Sequence, residues 1–266
     1  MARSSLVAEE VVLMTVTRHN AETPTTETQD AGPRDAETPT TETRTTGTPT
    51  TGTARALRAL EDDRASVRLK AALAVGTAPD PDFVPRLIER CAVEPEFFVR
   101  DMLTWALTRH PVSLTLPALL RELGAGRTQA RSQALHTLSK VGDRRAWPAI
   151  THALLTDPED EVARSAWRAA VVLAPEDDRP ALAAVLATQL GRGGRETQLS
   201  LSRALVALAG AAEPALLAAV RADDPGRRAH ALATRILTRD PDAGFAFAVE
   251  EAKRVVALDG APGGGA

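Results

Sequence analysis

The chain has 266 residues, 44% of them hydrophobic but only 3% aromatic, with no tyrosine and one cysteine. An apolar fraction dominated by alanine and leucine is helix composition rather than strand composition, and a lone cysteine excludes an intramolecular disulfide framework and fits a reducing compartment. The net charge of −3 is unevenly spread: residues 1–53 carry eight acidic and four basic side chains, leaving 27 acidic against 28 basic in residues 54–266, which excludes the global basic field that nucleic-acid binding commonly uses.

The first feature along the chain is the apolar run VVLMTV, residues 11–16, preceded directly by Glu9 and Glu10. A membrane span needs roughly 18 apolar residues and a secretion signal needs a small-residue cleavage site, and the run has neither. It reads as a leader, and a cytoplasmic location is expected. Residues 21–53 follow as AETPTTETQDAGPRDAETPTTETRTTGTPTTGT, in which the octet AETPTTET occurs twice. Such a segment has too little apolar surface to offset the entropy of ordering it, so residues 1–53 are expected to be a disordered leader and a Thr/Pro-rich low-complexity linker.

From Ala54 onward, apolar residues recur at i, i+3, i+4 and i+7 and are interrupted every 12 to 16 residues by Gly, Pro or Asp. That is a chain of short amphipathic helices. Self-comparison reveals a repeat, anchored at Arg68, Arg100, Arg131, Arg164, Gln198 and His230, with spacings of 32, 31, 33, 34 and 32. Three residues past each anchor stand Ala71, Leu103, Ala134, Trp167, Leu201 and Ala233; seven past it stand Val75, Leu107, Leu138, Val171, Leu205 and Leu237. Eleven past it, Pro79, Pro111, Gly142, Pro175 and Pro241 stop the helix, with Ala209 the exception. These positions define a helix B in each unit, with one buried stripe.

A helix A precedes each B. Its marker is Pro85, Pro117, Pro148, Pro180 and Pro214, residues suited to a first helical turn, where the missing N–H has no intrahelical partner. Leu87, Leu119, Ile150, Leu182 and Leu216 follow two positions on, and Cys91, Leu123, Leu154, Leu186 and Val220 six positions on, as two buried columns. The expected fold is all-α: an α-solenoid of about six two-helix repeats over residues 54–258, with a truncated first A-helix near 54–61, a last helix over about 243–258 and a disordered Gly-rich tail at 259–266.

Units such as DDRASVRLKAALAVG, EPEFFVRDMLTWAL and DPEDEVARSAWRAAVVL resemble the HEAT-repeat family, in particular its bacterial, phycobilisome-lyase-type HEAT-like repeats. The resemblance spans about residues 54–240. It implies a ladder in which a turn acid and the basic residue six positions on join neighbouring repeats: Asp62, Glu94 and Asp224 on the acidic side and Arg68, Arg100, Arg131 and Arg164 on the basic side, with Ala125, Pro158 and Arg192 departing from the pattern. Repeats of this kind serve scaffolds, enzyme subunits and regulators alike, so the resemblance is specific for fold and not for function. In some actinobacterial proteins of similar composition such an array follows a winged-helix domain, a pattern that residues 1–53 do not show.

The segment CAVEPEFFVRDMLTWALTRH gathers the lone cysteine, three carboxylates and a histidine in twenty residues. Each falls on a different column. Cys91 shares its place with leucines and a valine and is expected in the core; His110 directly precedes Pro111 and suits the negative end of its helix; Asp101 faces outward. His19, His136, His152 and His230 form no paired metal motif, so neither a metal nor a cofactor is expected. GRGGRET, residues 191–197, lacks the GK[ST] ending of a phosphate loop and reads as a long turn.

One outward column remains, five residues past each anchor: Leu73, Trp105, His136, Ala169, Arg203 and Arg235. Stacked B-helices would present it on the concave face, where Trp105, His136, Arg203 and Arg235 form a candidate groove for a peptide with an acidic end. The expected function is a non-enzymatic scaffold that binds a protein or peptide on this face. A nucleic-acid-binding or regulator-derived module would need a basic, aromatic face, for which only Trp105, Arg203 and Arg235 speak. A bilin-lyase-like subunit would need an acid or thiol in the groove. If the columns are assigned to the right faces, Leu119→Ala and Leu154→Ala will each cost about 2–5 kcal/mol through lost burial and a residual cavity, while Asp101→Ala costs little. Urea midpoints of the three variants check this.

Overall fold

The structure is a computed structural model that describes residues 51–240 and 244–259. The expected linker up to residue 50 and the tail from residue 260 lie outside the described residues. Thirteen α-helices follow one another, with no strand among the described residues. They are α1 (Thr51–Leu60), α2 (Ala65–Thr77), α3 (Phe83–Cys91), α4 (Phe97–Arg109), α5 (Val112–Glu122), α6 (Thr128–Val141), α7 (His152–Leu155), α8 (Asp160–Leu173), α9 (Arg179–Ala187), α10 (Arg195–Ala207), α11 (Glu213–Ala219), α12 (Pro225–Arg239) and α13 (Phe245–Asp259). The even-numbered helices are the B-helices, and each packs on the next from α2 through to α12 and then on α13. Each A-helix packs against the B-helix that follows it. The chain is an all-α solenoid of helix pairs, and α1 begins three residues ahead of the expected boundary.

The expected columns are the core. All five residues at the first A-helix position, Leu87, Leu119, Ile150, Leu182 and Leu216, are buried, as are Ala71, Leu103, Ala134, Trp167, Leu201 and Ala233 on the B-helices. Val171, Leu123 and Val220 are only partly buried. The B-helices approach one another through small side chains whose hydroxyls pair across the interface: Ser132 with Ser165 at 3.1 Å and Ser202 with Thr234 at 2.8 Å. Buried hydroxyls without partners would each be costly, so these pairs also hold the register of neighbouring units. Trp167 is fully buried, and its indole N–H donates to the Leu155 carbonyl at 2.8 Å.

Three of the marker prolines, Pro85, Pro180 and Pro214, open their helices as expected. Two do not. The chain passes from α4 to α5 in two residues, so α5 starts at Val112 and Pro117 falls in its second turn. Pro148 lies in a 3-10 stretch, Arg144–Ala149, after which only the single turn α7 is α-helical. This fourth A-helix is broken because two local caps compete with a continuous helix: Asp143 accepts from the Arg145 amide and Thr151 from the Leu154 amide. Helix ends follow the expected stops; Gly142, for one, closes α6 in the left-handed region at φ 68°.

The last pair has a separate core. Ala229, Ala233 and Leu237 of α12 meet Phe245, Ala248 and Ala252 of α13. At the other end, Trp105 of α4 lies across Gly76 of α2, where a Cβ would stand 2.3 Å from the ring. Gly76→Ala therefore displaces the indole and is expected to cost about 1–3 kcal/mol, as overpacking does. Thermal unfolding of the variant, with tryptophan fluorescence as a second signal, checks both the cost and the displacement.

Candidate functional site

Every turn from an A- to a B-helix is held by a side-chain donor. Counted from the helix starts, the fourth residue of each B-helix is Arg68, Arg100, Arg131, Ala163, Gln198 or Arg228, and the residue three before the start is Asp62, Glu94, Ala125, Asp157, Arg192 or Ala222. Arg68 Nη1 donates to the carbonyls of Asp62 and Asp63, both at 2.8 Å. Arg100 does the same to Glu94 and Pro95, Arg131 to Ala125 and Gly126, and Arg228 to Ala222 and Asp223. Gln198 reaches the carbonyls of Gly191 and Gly193. Ala163 can donate nothing. Arg192, from the next unit, takes over and meets the carbonyls of Asp157 and Pro158 at 2.6 and 3.0 Å.

The remaining guanidinium nitrogens build the ladder between units. Arg68 grips Glu94 through two bonds of 2.7 Å, both side chains being buried, and Arg131 reaches Asp157 at 3.3 Å. Asp157, not Pro158, thus holds the acidic place of the fourth unit. The acidic place of the third unit is filled by Ala125, which offers Arg100 no carboxylate. Arg164 stands one position past the clamp and pairs instead with exposed Glu196 at 3.2 Å. Asp62 pairs with Arg64 beside it, and Asp224 caps its own helix by accepting from the Gly226 and Arg227 amides. Burial works to raise the Glu94 carboxyl, but bonds from Arg68, the Glu96 amide and Arg90 overcome it and hold the group at about 2.

Cys91 is buried, and its thiol is pushed up to about 12, first by burial and then by Glu94, so it is not poised as a thiolate. His110 is also buried and donates from Nδ1 to the Ala106 carbonyl at 2.8 Å, the helix-end role expected of it. The surroundings of His230 leave no trace in the repeat pattern. Its Nδ1 accepts from the Gly191 amide at 3.0 Å, so Nε2 carries the proton and faces the Gln198 carbonyl and the Ser202 hydroxyl, each at 3.0 Å. An Nε2 that must donate cannot serve as a base for Ser202, which removes this contact of a serine hydroxyl with an imidazole from consideration as a nucleophile. Burial lowers this imidazole to about 4, against the Gln198 bond. Of GRGGRET, residues 191–194 form a turn, with Gly191 and Gly193 at φ of 86° and 67°, and Arg195, Glu196 and Thr197 open α10.

The outward column is placed unevenly. Leu73 is 50% exposed, Trp105 half-buried over Gly76, and His136 half-buried on α6. Ala169 is fully buried, and its neighbour Arg168 is exposed on α8. Arg203 is exposed on α10, while Arg235 turns to its own A-helix and pairs with Glu213 at 2.9 Å. Of the four expected groove residues, His136 lines a groove. That groove, about 420 Å³, lies over α6. Its α4 side carries Phe97, Arg100 and Asp101; Ser132, Gln133 and His136 come from α6; Glu161, Arg164, Ser165 and Arg168 come from α8, with Glu196 of α10.

Beside it, Phe97 and Phe98 stand 65% and 69% exposed, ring centroids 5.6 Å apart and edge to face. With Phe247 of α13 also 63% exposed, three of the five phenylalanines face solvent, and these two stand side by side. Burial lowers His136 to about 4, and the charges of Arg168 and Lys140 push the same way. Among the described residues no group of three His, Cys, Asp or Glu side chains could hold a metal ion, and no single helix is long and apolar enough to cross a membrane.

The geometry defines a helical-repeat protein with a mixed-charge groove across its B-helices. No protein-family model and no curated protein matches the chain. Among solved structures it is similar to an engineered protein at 17% identity, covering 77% of this chain and 96% of that one with a TM-score of 0.41. A designed armadillo repeat protein is 14% identical over 69% of this chain and 98% of its own, TM-score 0.38. The complex of CpcE and CpcF of phycocyanin lyase from Nostoc is 17% identical over 84% and 100%, TM-score 0.35.

Glu94→Ala leaves Arg68 buried without its carboxylate and is expected to cost about 3–5 kcal/mol. The unfolded Glu94 takes up a proton near 4.5 whereas the folded one stays ionised to about 2, so its contribution is complete above pH 4.5 and is lost as pH falls towards 2. His230 adds an earlier loss: between pH 6.5 and about 4 the unfolded imidazole binds a proton that the folded one excludes. Urea midpoints measured across this range should fall with acid in two stages in the wild type, and the later stage should shrink in Glu94→Ala.

Proposed function

We propose that the protein is a non-enzymatic helical-repeat scaffold that binds a segment of another protein along its B-helix face, in the groove over α6. The observation that carries this is the exposed Phe97–Phe98 pair at the edge of that groove. Large aromatic side chains anchor protein interfaces well, because they bury much area at little entropic cost. Trp105 and Arg203 extend the same face to either side, and the hydroxyl pairs and carbonyl clamps beneath it make the surface preorganised.

Chemistry is disfavoured by what surrounds each candidate group. The only thiol is buried with its proton held tightly, and the His230 imidazole, which meets the Ser202 hydroxyl, is fixed in the wrong tautomer. A nucleic-acid backbone is disfavoured by Asp101, Glu161 and Glu196, which would face its phosphates along the groove.

The test is affinity capture by the full chain compared with Phe98→Ala. Proteins held by the wild type should be lost from the variant, with a fall in affinity of roughly thirtyfold or more, about 2 kcal/mol, and an unchanged thermal midpoint. Trp105→Ala is expected to lower the midpoint, because the ring covers Gly76. Equal capture by Phe98→Ala would remove the B-helix face from consideration.

A further inference from the structure

The groove over α6 is built as a trough. Its floor consists of short side chains, Ser132 and Ser165, whose hydroxyls bond to each other, while longer side chains of α4 and α8 form the two walls. The charges in it are not equivalent. Glu196 is engaged by Arg164. Arg100 spends its bonds on two carbonyls and, among the described residues, keeps its charge without a carboxylate in ion-pair range. Among the same residues Arg168 donates to the neutral Ser165 hydroxyl, at 3.1 Å, and pairs with no carboxylate.

The field at the floor has a definite sign. His136, at its centre, is perturbed by two charges, Arg168 and Lys140, and both are cations. Arg168 in turn is lowered first by desolvation and then by the like charge of Arg164, with Glu161 opposing. Guanidinium groups that line one groove without carboxylate partners among the described residues, as Arg100 and Arg168 do, are a site prepared for anions. The acids that line the groove, Asp101 and Glu161, are exposed. They set a limit on the ligand: a continuous polyanion would meet them, whereas separate carboxylates on a peptide need not.

We propose that the groove over α6 recognises an acidic peptide segment, with a carboxylate set between Arg100 and Arg168 above His136 and an apolar side chain against Phe97 and Phe98. This rests on the assignment of the B-helix face as the binding surface. The charged and titratable groups that face His136 come from every wall: Arg100 and Asp101 from α4, Lys140 from its own helix, Glu161, Arg164 and Arg168 from α8, and Glu196 from α10. A ligand carboxylate brought beside the imidazole offsets the two cations, so binding draws a proton onto His136. By linkage, affinity then rises as pH falls through the raised bound-state pKa of the histidine towards its free value of about 4.

The test uses the full chain and a fluorescein-labelled peptide that alternates glutamate pairs with single leucines. Its partners are a control with glutamine at every glutamate and a labelled oligothymidylate of equal length. The glutamate peptide should bind, more weakly as salt is added, and Arg168→Gln should lower its affinity roughly tenfold with no change in thermal midpoint. Affinity should rise severalfold between about pH 7.5 and about pH 5.5, and His136→Gln should flatten that slope. No binding of the glutamate peptide, or equal binding of the glutamine control, overturns the acidic class. Loss of captured proteins in Phe98→Ala would in that event still uphold the face itself. Tighter binding of the oligothymidylate also overturns the proposal. Binding that neither Arg168→Gln nor Phe98→Ala weakens puts the peptide elsewhere and overturns both assignments.

Discussion

In each turn between the two helices of a unit, a pair of backbone carbonyls points where no helical amide can reach it. A side chain has to meet them, and in most units it comes from the fourth residue of the helix that follows. An arginine is suited to the task because its fork can hold two carbonyls with one nitrogen and still present others to a neighbour. Where the neighbour offers an acid, as Glu94 does to Arg68, the clamp becomes a joint between units, and the turn, the helix start and the stacking are all held by one guanidinium. The groove depends on this indirectly: α4, α6 and α8 can present fixed walls only because their starts are pinned.

Much of the fold was legible before any coordinates because the buried columns repeat at a nearly constant interval, and a leucine at Leu87, Leu119 or Leu182 has little other use. Register was less legible. The B-helices end in step, at Thr77, Arg109, Val141, Leu173, Ala207 and Arg239, but they do not start in step. Columns aligned on the ends therefore selected Arg164 and His230 where Ala163 and Arg228 occupy the clamp position. The same slip put Ala169 on the surface and concealed Arg168. Pro117 and Pro148 were read as first-turn residues because a proline's position within a helix cannot be told from the proline alone; it is set by the length of the turn before it and by the caps that compete with it.

Legibility was poorest at the groove itself. Of its walls, only His136 had been placed there; Arg100 and Arg164 had been assigned to the ladder, and Phe97 and Phe98 drew no notice. Amphipathic period reports residues spaced three and four apart, and two adjacent aromatics in a first turn leave no such trace. Their exposure is a property of the stacked units and of what the preceding turn does not cover. A useful signal was nonetheless present in composition: a chain with so few aromatic residues places two side by side.

The reversed clamp at the fourth turn has a bearing on how the array could be cut and recombined. Units whose guanidinium is their own are self-contained at that turn and could be exchanged or deleted with limited damage. The fourth is not, since its carbonyls wait for Arg192, which is also bound to Asp160 at 2.8 Å. A fragment that ended before residue 191 would strand them. The fourth repeat thus depends on the fifth and not the reverse: loss of the fifth alone leaves two backbone carbonyls without a donor, whereas loss of the fourth strands none, because Gln198 holds the turn of the fifth.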